Sequence, residues 1–308
     1  MKRIILAIGM LAACVSAVAQ NTSEEFVRRY NALVKNVGVD GVGVETLLDR
    51  WENAFPDDVE MLTGRFNYYF TKSQSSQVIQ KDAGKFMGQK PMLALKDSLG
   101  NDVNYFQEYF YEDSLFAIAS SAIDKAIRLE PANLNLRFHK FNSLMAYEKE
   151  NPDMTTMAIS GLIDYIGTNK NNGWKFNGED ADEDLVKAAI QEYCLSLYTI
   201  ASPSAFESFR KLSERMLVWY KDDPMFLDNI GTYWLIARKD SKQALKWYTK
   251  VLKKNPDDYT AIKNCVLMAR NDKNVKLEKK YLPALIRNAA SDSERAQAQA
   301  RLEALAQK

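Results

Sequence analysis

Histidine-based chemistry has little support in this sequence, because His139 is its only histidine. A histidine metal centre needs several imidazole ligands, and no other residue could act as the base of a Ser-His-Asp or Cys-His system. His139 lies in the run LRFHKF at 136–141, and we interpret it as a residue of a helix surface or groove edge. No glycine-rich phosphate loop, Gly-x-Ser-x-Gly or Cys-x-x-Cys motif is present. The residue types predict a protein that is not an enzyme and needs no cofactor.

A cluster of acidic side chains offers the main alternative chemistry. Several carboxylates close together could hold Ca²⁺, but this cluster lacks the Asp-x-Asn-x-Asp-Gly order of a calcium loop. It directly precedes an apolar run that begins at Leu185. We therefore expect it to cap that helix, each charge contributing about 0.3–1 kcal/mol through the helix dipole, and we predict no metal site. The cluster comprises Glu179, Asp180, Asp182, Glu183 and Asp184.

Aromatic side chains crowd between positions 105 and 111. On a helix, residues four apart share a face, so these side chains would form two adjacent stripes, more than one packing seam requires. Burial against a neighbouring insertion is the other fate of such residues. We predict that one stripe lines a partner-binding groove, with two phenylalanines of the next helix facing it. The predicted partner-binding residues are Tyr105, Phe106, Tyr109, Phe110, Phe138 and Phe141.

The amino terminus has the organisation of a secretory signal peptide. Lys2 and Arg3 precede an apolar run at 4–13 that is too short to span a bilayer, and the small-residue triplet AVA follows at 17–19. This pattern predicts cleavage between Ala19 and Gln20, and export to the periplasm or cell envelope. The segment LAAC at 11–14 also resembles a bacterial lipobox, whose cysteine, here Cys14, would carry lipid. The complete cleavage site and the apolar stretch after Cys14 favour soluble export, so we expect membrane attachment only if Cys14 is lipidated.

Charge and cysteine content limit the partners. The full chain has 41 basic and 40 acidic residues, so no global field attracts nucleic acid or membrane. Between Arg238 and Arg287 there are fourteen Lys or Arg against five Asp or Glu, which indicates either an acidic partner or a solvated helix face. Cys194 and Cys265 could pair in an oxidising compartment, or could be buried thiols in apolar helices.

An internal repeat organises the second half of the chain. LIARKD at 235–240 returns as LMARND at 267–272, and the same shift of 32 residues places Pro224 on Pro256 and Ile230 on Ile262. Each copy begins with a proline suited to a first helical turn, continues with apolar residues at helical spacing, and breaks at charged residues before a second amphipathic stretch. The repeated unit is therefore predicted to be a helix, a short turn and a second helix.

These residues resemble the tetratricopeptide repeat (TPR). The first helix carries Ile230-Gly231-x2-Trp234, the second carries Ala244-x3-Tyr248, and Pro256 closes the unit. Weaker copies of the closing signature occur at 44–56, 119–131 and 212–224. The resemblance implies an all-α, right-handed α-solenoid of stacked helix pairs, in which Gly231 and Ala244 allow close approach and the aromatics fill the gap. It further implies a non-catalytic scaffold that holds a protein or peptide partner on its concave face.

The periodicity predicts one domain over 20–308 with two interruptions and a polar capping helix at 292–306. An insertion at 73–106 loses the helical period and contains a β-hairpin near 91–106, and a polar loop occupies 169–181. The predicted helix pairs are 23–36 with 43–54, 57–71 with 107–129, 132–149 with 153–167, 182–201 with 204–221, 225–238 with 242–254, and 258–270 with 275–289.

Two alternatives to a soluble scaffold remain open. A lipid-anchored TPR protein could serve outer-membrane assembly or transport, as the lipobox at Cys14 indicates. An envelope hydrolase or glycan-binding protein could use Trp174 as a stacking platform beside the acidic cluster. The second alternative requires Trp174 and residues 179–184 to converge with the hairpin around one pocket.

Overall fold

The computed structural model describes residues 22–169 and 173–307. Within these ranges the chain is mostly helical, with thirteen helices and a few small antiparallel strands, which confirms the all-α class. None of the helices described there is long and apolar enough to cross a membrane. The predicted signal peptide, its cleavage site and Cys14 lie outside the described residues.

The helices are α1 Ser23–Val37, α2 Val44–Ala54, α3 Val59–Ser73, α4 Asp113–Leu129, α5 Leu134–Glu148, α6 Asp153–Thr168, α7 Glu183–Ile200, α8 Pro203–Trp219, α9 Pro224–Ile236, α10 Ser241–Lys254, α11 Tyr259–Asn271, α12 Val275–Asn288 and α13 Asp292–Ala306. The strands are β1 Gln74–Lys81, β2 Leu93–Lys96, β3 Asp102–Tyr111, β4 Lys175–Phe176 and β5 Glu179–Asp180.

Consecutive helices pack as pairs, from α1 with α2 to α11 with α12, and α13 packs on α12. The predicted helix boundaries agree with the structure to within a few residues, with one exception. The helix predicted to begin at residue 107 begins only at Asp113, because the preceding residues form β3. A helix over the predicted range 292–306 is present as α13, and its capping role stays a prediction.

Four turns between successive pairs have the same geometry. In the turns before α3, α5, α9 and α11, the residue after the preceding helix donates its N–H to the carbonyl four residues back, at 2.8–2.9 Å. Three residues later a side-chain oxygen caps the next helix by accepting a backbone N–H at 3.0–3.1 Å. Such caps satisfy amide groups that the first helical turn leaves unpaired. The capping residues are Asp58, Asn133, Asp223 and Asp258.

These turns correct the interval of the sequence repeat. Pro224 is the first residue of α9, whereas Pro256 lies in the turn before α11, so the two prolines are not equivalent. The equivalent capping residues are Asp223 and Asp258 in the first helices, and Asp240 and Asn274 in the second. The repeat is therefore 34–35 residues long, and the predicted 32 was wrong. Residues three or four apart share a helix face, so two amphipathic helices can be aligned two or three residues out of register and still match in their apolar positions.

The helix pair α9–α10 packs closely at Gly231. A Cβ atom on Gly231 would lie 2.6 Å from Cε1 of Tyr248, so any larger residue would force the two helices apart. Ile230, Ala244 and Tyr248 are fully buried, and Trp234 is half-buried. A small residue against a large ring therefore fixes the spacing of this pair.

The insertion between α3 and α4 is a three-stranded antiparallel sheet in the order β1-β3-β2. The predicted hairpin is present as β2 and β3, and its turn is held by the Asp97 carboxylate, which accepts the N–H groups of Leu99 and Asn101 at 2.8 Å. Strand β1 was not predicted. It pairs with β3 from Asn104 to Tyr111, so the sheet is larger than the predicted hairpin.

Strand β3 overturns the predicted helical placement of the aromatic residues. Tyr105, Phe106, Tyr109 and Phe110 lie on this strand, and successive side chains point to opposite faces of the sheet. Aromatic residues four positions apart share a face in a helix and also in a strand, so their spacing alone does not separate the two. The preference of Val, Tyr and Phe for strands decides the structure here.

The ends of the insertion meet at its base. The N–H of Glu112 donates to the carbonyl of Ser73 at 2.9 Å, and the Tyr111 ring stacks on Phe70 with centroids 5.5 Å apart. Helices α3 and α4 therefore pack on each other directly although the sheet separates them in sequence.

Both described cysteines are free and buried. Burial raises the pKa of the Cys194 and Cys265 thiols to about 12, so both stay protonated and behave as small apolar core residues.

A candidate binding cleft between the sheet and helices α5 and α7

A cleft of about 640 Å³ separates the inserted sheet from the helices. One wall is the carboxyl-terminal half of α5, the second is the same half of α7, and the third is the insertion. Helices α5 and α7 are the first helices of two successive pairs. The lining includes Gln89, Gln107, Tyr109, Asn142, Met145, Glu192, Leu195 and Ser196.

The sheet is fastened to α5 by an ion pair. Lys149 ends α5 with a positive φ of 56°, and its Nζ lies 2.6 Å from Oε1 of Glu108 on β3. The same Nζ lies 4.1 Å from the centroid of the Phe110 ring. The Lys149 and Glu108 side chains are only 23% and 15% exposed, so water screens the pair less than a surface ion pair.

The loop between β1 and β2 is fastened to α7 by a close backbone approach. Gly88 has a φ of +77°, and a Cβ there would lie 2.2 Å from Cγ2 and 2.8 Å from the carbonyl oxygen of Thr199. Only glycine fits this position without movement. The neighbouring Phe86 ring meets the buried Phe106 ring edge-on at 5.8 Å, so the loop also covers one face of the sheet.

The cleft surface mixes apolar and polar groups. Tyr109 and Leu195 are 46% and 45% exposed, and Met145 is half-buried between them and the core. Asn142 and Glu192 are exposed polar residues of the helix walls, and the side-chain Oδ1 of Asn142 accepts a hydrogen bond from the Tyr193 hydroxyl at 3.0 Å. Such a surface can hold an extended segment through apolar contacts and a few polar groups that fix its orientation.

The structure brings only part of the predicted aromatic set to this cleft. Tyr109 lines it, and the Phe110 ring lies beneath the Lys149 ammonium at its edge. Tyr105 is half-buried and lies on the same sheet face as Tyr109, but it is not among the residues that line the cleft.

The other three residues pack into the interior. Phe106 is buried beneath the loop. Phe141 is buried against Tyr193, and the half-buried Phe138 packs on Phe176 and Tyr193. A partner cannot reach Phe106 or Phe141 in this structure.

The region around Trp174 is separate from the cleft. Trp174 is 6% exposed and meets the Tyr165 ring edge-on at 5.4 Å, so it offers no stacking platform. In the acidic cluster, the Asp182 carboxylate caps α7 by accepting the Leu185 N–H at 2.8 Å. No group of three potential metal-binding side chains occurs in the residues that the structure describes. Neither Trp174 nor residues 179–184 line the cleft, so these residues do not converge with the hairpin there.

His139 and the basic segment have ordinary surface surroundings. His139 is exposed on α5 and meets the Phe66 ring edge-on, and its burial on that side lowers its pKa. In the basic segment, Lys254, Lys263 and Arg270 each form an ion pair at about 3.1 Å. Part of the local basic excess is therefore neutralised within the fold.

Sequence reasoning missed the residues that build the cleft, namely Gly88, Glu108, Lys149, Leu195 and Thr199. Only Gly88 could have been identified from the sequence, because a glycine in an irregular segment often marks a positive φ or a close approach between two backbone segments. Lys149 and Glu108 are 41 residues apart, and nothing in their local sequence pairs them.

No protein-family model matches this chain, and no curated protein matches it either. A functional assignment therefore depends on the geometry of the cleft.

Proposed function

We propose that the protein is a non-catalytic adaptor that holds an extended segment of a partner protein in the cleft between the sheet, α5 and α7. The observation that carries this proposal is the construction of the cleft. Its walls come from two successive helix pairs and an insertion attached to both, and Tyr109 and Leu195 remain exposed within it. Such a built surface suits a peptide better than a flat helix face does.

We further propose that the helix pairs form a right-handed, TPR-like solenoid whose first helices line the concave face. The four equivalent turns support this arrangement, as does the close Gly231–Tyr248 contact at the position where the TPR pattern has a small residue. The cleft also lies on the first helices α5 and α7. Stacked repeats of this kind present extended concave surfaces to their partners.

The proposed place of action is the bacterial envelope, because the first nineteen residues have the pattern of a secretory signal. A lipid-anchored form that serves outer-membrane assembly or transport is the second candidate, supported by LAAC at 11–14. Mass spectrometry of the mature amino terminus separates the two forms. A diacylated Cys14 identifies the anchored form, and a Gln20 or pyroglutamate terminus identifies the soluble form.

The adaptor proposal is tested by replacing Leu195 with a photo-cross-linking amino acid in cells that produce the full chain. We expect one stoichiometric partner to be captured from the envelope fraction. Because Tyr109 shares the cleft with Leu195, Tyr109→Ala should reduce that capture at least tenfold.

Val218 provides the matched control, because it is an exposed apolar residue of α8 that does not line the cleft. The cross-linker at Val218 should capture no such partner, and Val218→Ala should leave capture at Leu195 unchanged. Equal capture from both positions, or robust turnover of a substrate by the purified mature chain, would contradict the proposal.

A further inference from the structure

A second cleft, of about 410 Å³, lies between α7 and the amino-terminal ends of α9 and α11. Six of its eight lining residues have polar side chains, and three of them are aspartates. It occupies the next position along the row of first helices. The lining residues are Gln191, Asp223, Pro224, Met225, Asp228, Asn229, Asp258 and Thr260.

Asp228 is the unusual group in this cleft. Its side chain is only 7% exposed, and its Oδ1 has no hydrogen-bonding partner among the described residues. Burial, followed by the charge of the Asp258 carboxylate and a side-chain hydrogen bond between the two carboxyl groups, raises the pKa of Asp228 to about 8. The two carboxyl groups therefore form a close acidic pair, and a cationic donor that enters the cleft could bind both once Asp228 is ionised.

The surrounding charges leave Asp228 and Asp258 without a cation. Lys187 of α7 lies 2.8 Å from the Glu183 carboxylate and 3.6 Å from that of Asp223, and neither Asp228 nor Asp258 forms an ion pair within the described chain. Tyr248 and Cys265 interact electrostatically with Asp228 but supply no positive charge. Burial raises the pKa of both side chains, so they stay neutral.

Amide groups complete the polar wall. Gln191 and Asn229 exchange two hydrogen bonds, of 3.1 and 2.7 Å, and the Asn229 amide also donates to Ser213 at 3.1 Å. Asn229 is 6% exposed and both of its amide hydrogens are used, so these bonds hold the wall in place. The carbonyl oxygens of both amides keep a lone pair for a further donor.

We propose that this cleft binds an arginine side chain of the partner, with the guanidinium between the carboxylates of Asp228 and Asp258. A guanidinium presents five donors in a plane, which suits two carboxylates beside amide oxygens. A metal ion is disfavoured because the described residues hold no group of three ligands that could bind one. The proposal rests on the adaptor function in one respect, namely that the arginine belongs to the protein held in the first cleft.

Binding of the guanidinium is coupled to a proton. Asp228 is mostly protonated at neutral pH and must ionise to form the ion pair, so complex formation releases a proton below about pH 8. Affinity should therefore rise from pH 6 to pH 9. This pH dependence belongs to Asp228, the residue in the cleft whose pKa is raised into that range.

The experiment is a calorimetric titration of the purified mature chain with N-acetyl-arginine N-methylamide, in two buffers that differ in ionisation enthalpy. The matching citrulline and lysine compounds serve as comparison ligands. We expect the arginine compound to bind at least tenfold more tightly than either comparison compound, with proton release at pH 7. Asp228→Asn and Asp258→Asn should each weaken its binding at least tenfold, and Asn retains the capping ability of Asp258.

Asp257→Asn is the control, since it removes one charge from the adjacent, exposed position and should leave the affinity unchanged. Tyr109→Ala should also leave it unchanged, so failure of this proposal and failure of the adaptor proposal give different results. Absence of binding at pH 9, equal binding of the citrulline compound, or equal affinity in the Asp228→Asn variant would overturn the proposal.

Discussion

At the scale of single residues, the Lys149 ammonium meets two attractions at once, the Glu108 carboxylate and the face of the Phe110 ring. Partial burial strengthens both, because water screens them less. This one residue therefore determines how firmly β3 is held against the end of α5.

Glu108→Gln should weaken that attachment. We expect the free energy of local opening of the sheet to fall by about 1–3 kcal/mol, since a charge-assisted hydrogen bond in a partly buried site is lost. Hydrogen exchange of the β3 amides measures this directly. The control is Asp102→Asn in the same sheet, where the partner Lys96 is 68% exposed and we expect a change below about 0.5 kcal/mol. Equal changes in the free energy of opening in the two variants would show that the Lys149–Glu108 pair stabilises the sheet no more than an exposed ion pair does.

Glycine at position 231 is a second single-residue determinant. Gly231→Ala places a methyl group 2.6 Å from the Tyr248 ring, and we expect overpacking to lower the free energy of unfolding by about 1–3 kcal/mol. Gly161→Ala is the matched control, because it lies within α6 with no atom within 4 Å of the new Cβ. There the better helix propensity should raise stability by about 0.5–1 kcal/mol. Chemical denaturation of both variants tests whether the sign differs as expected.

At the scale of elements, the last helix, α13, is joined to the preceding helix pair by a buried carboxylate. Glu278 of α12 is 1% exposed and accepts Nε and Nη2 of Arg301 at 2.8 and 2.9 Å, and Nε of Arg270 at 3.1 Å. The bonds from Arg301, followed by those from Arg270, lower the pKa of Glu278 below its ordinary value. The folded state therefore favours the ionised form.

Stability should accordingly fall with acidity. A depressed carboxyl pKa contributes stability above the ordinary value of 4.5, and that contribution is lost as the pH falls through the lower folded value. We expect Glu278→Gln to be less stable than the natural chain by about 1–3 kcal/mol at pH 7, and the difference to shrink as the pH falls below 4.5. Unfolding curves across this range provide the measurement. A difference in stability that does not shrink on acidification would contradict this role of Glu278.

Some helices and strands could be located from the sequence and others could not. Apolar spacing and capping residues located helices such as α7 and α13 to within a few residues, because both signals are local. The stretch 105–111 was misjudged because its aromatic spacing fits a helix, while strand preference and pairing with β1 decided the outcome. Lys149 meets Glu108, and Gly88 meets Thr199, only after folding, so no local pattern could reveal the cleft.

At the scale of the whole molecule, the inserted sheet and the helix pairs should be separable. Ser75 and Phe110 lie directly opposite each other in the ladder, so an Asn-Gly turn can replace residues 76–109 between them. We expect this chain to keep its helical circular dichroism and cooperative unfolding, because α3 and α4 still pack directly. It should lose capture of the partner at Leu195. Retained capture would show that the sheet forms no part of the binding site.

The two attachments of the sheet also have a mechanical consequence. Glu108 ties it to α5, Gly88 rests on α7, and these helices belong to different pairs. The sheet therefore contacts two successive helix pairs, α5–α6 and α7–α8, and restricts changes in the angle between those pairs. Bending of the molecule should occur mainly between helix pairs that the sheet does not connect, such as α9–α10 and α11–α12. The width of the cleft should stay nearly constant.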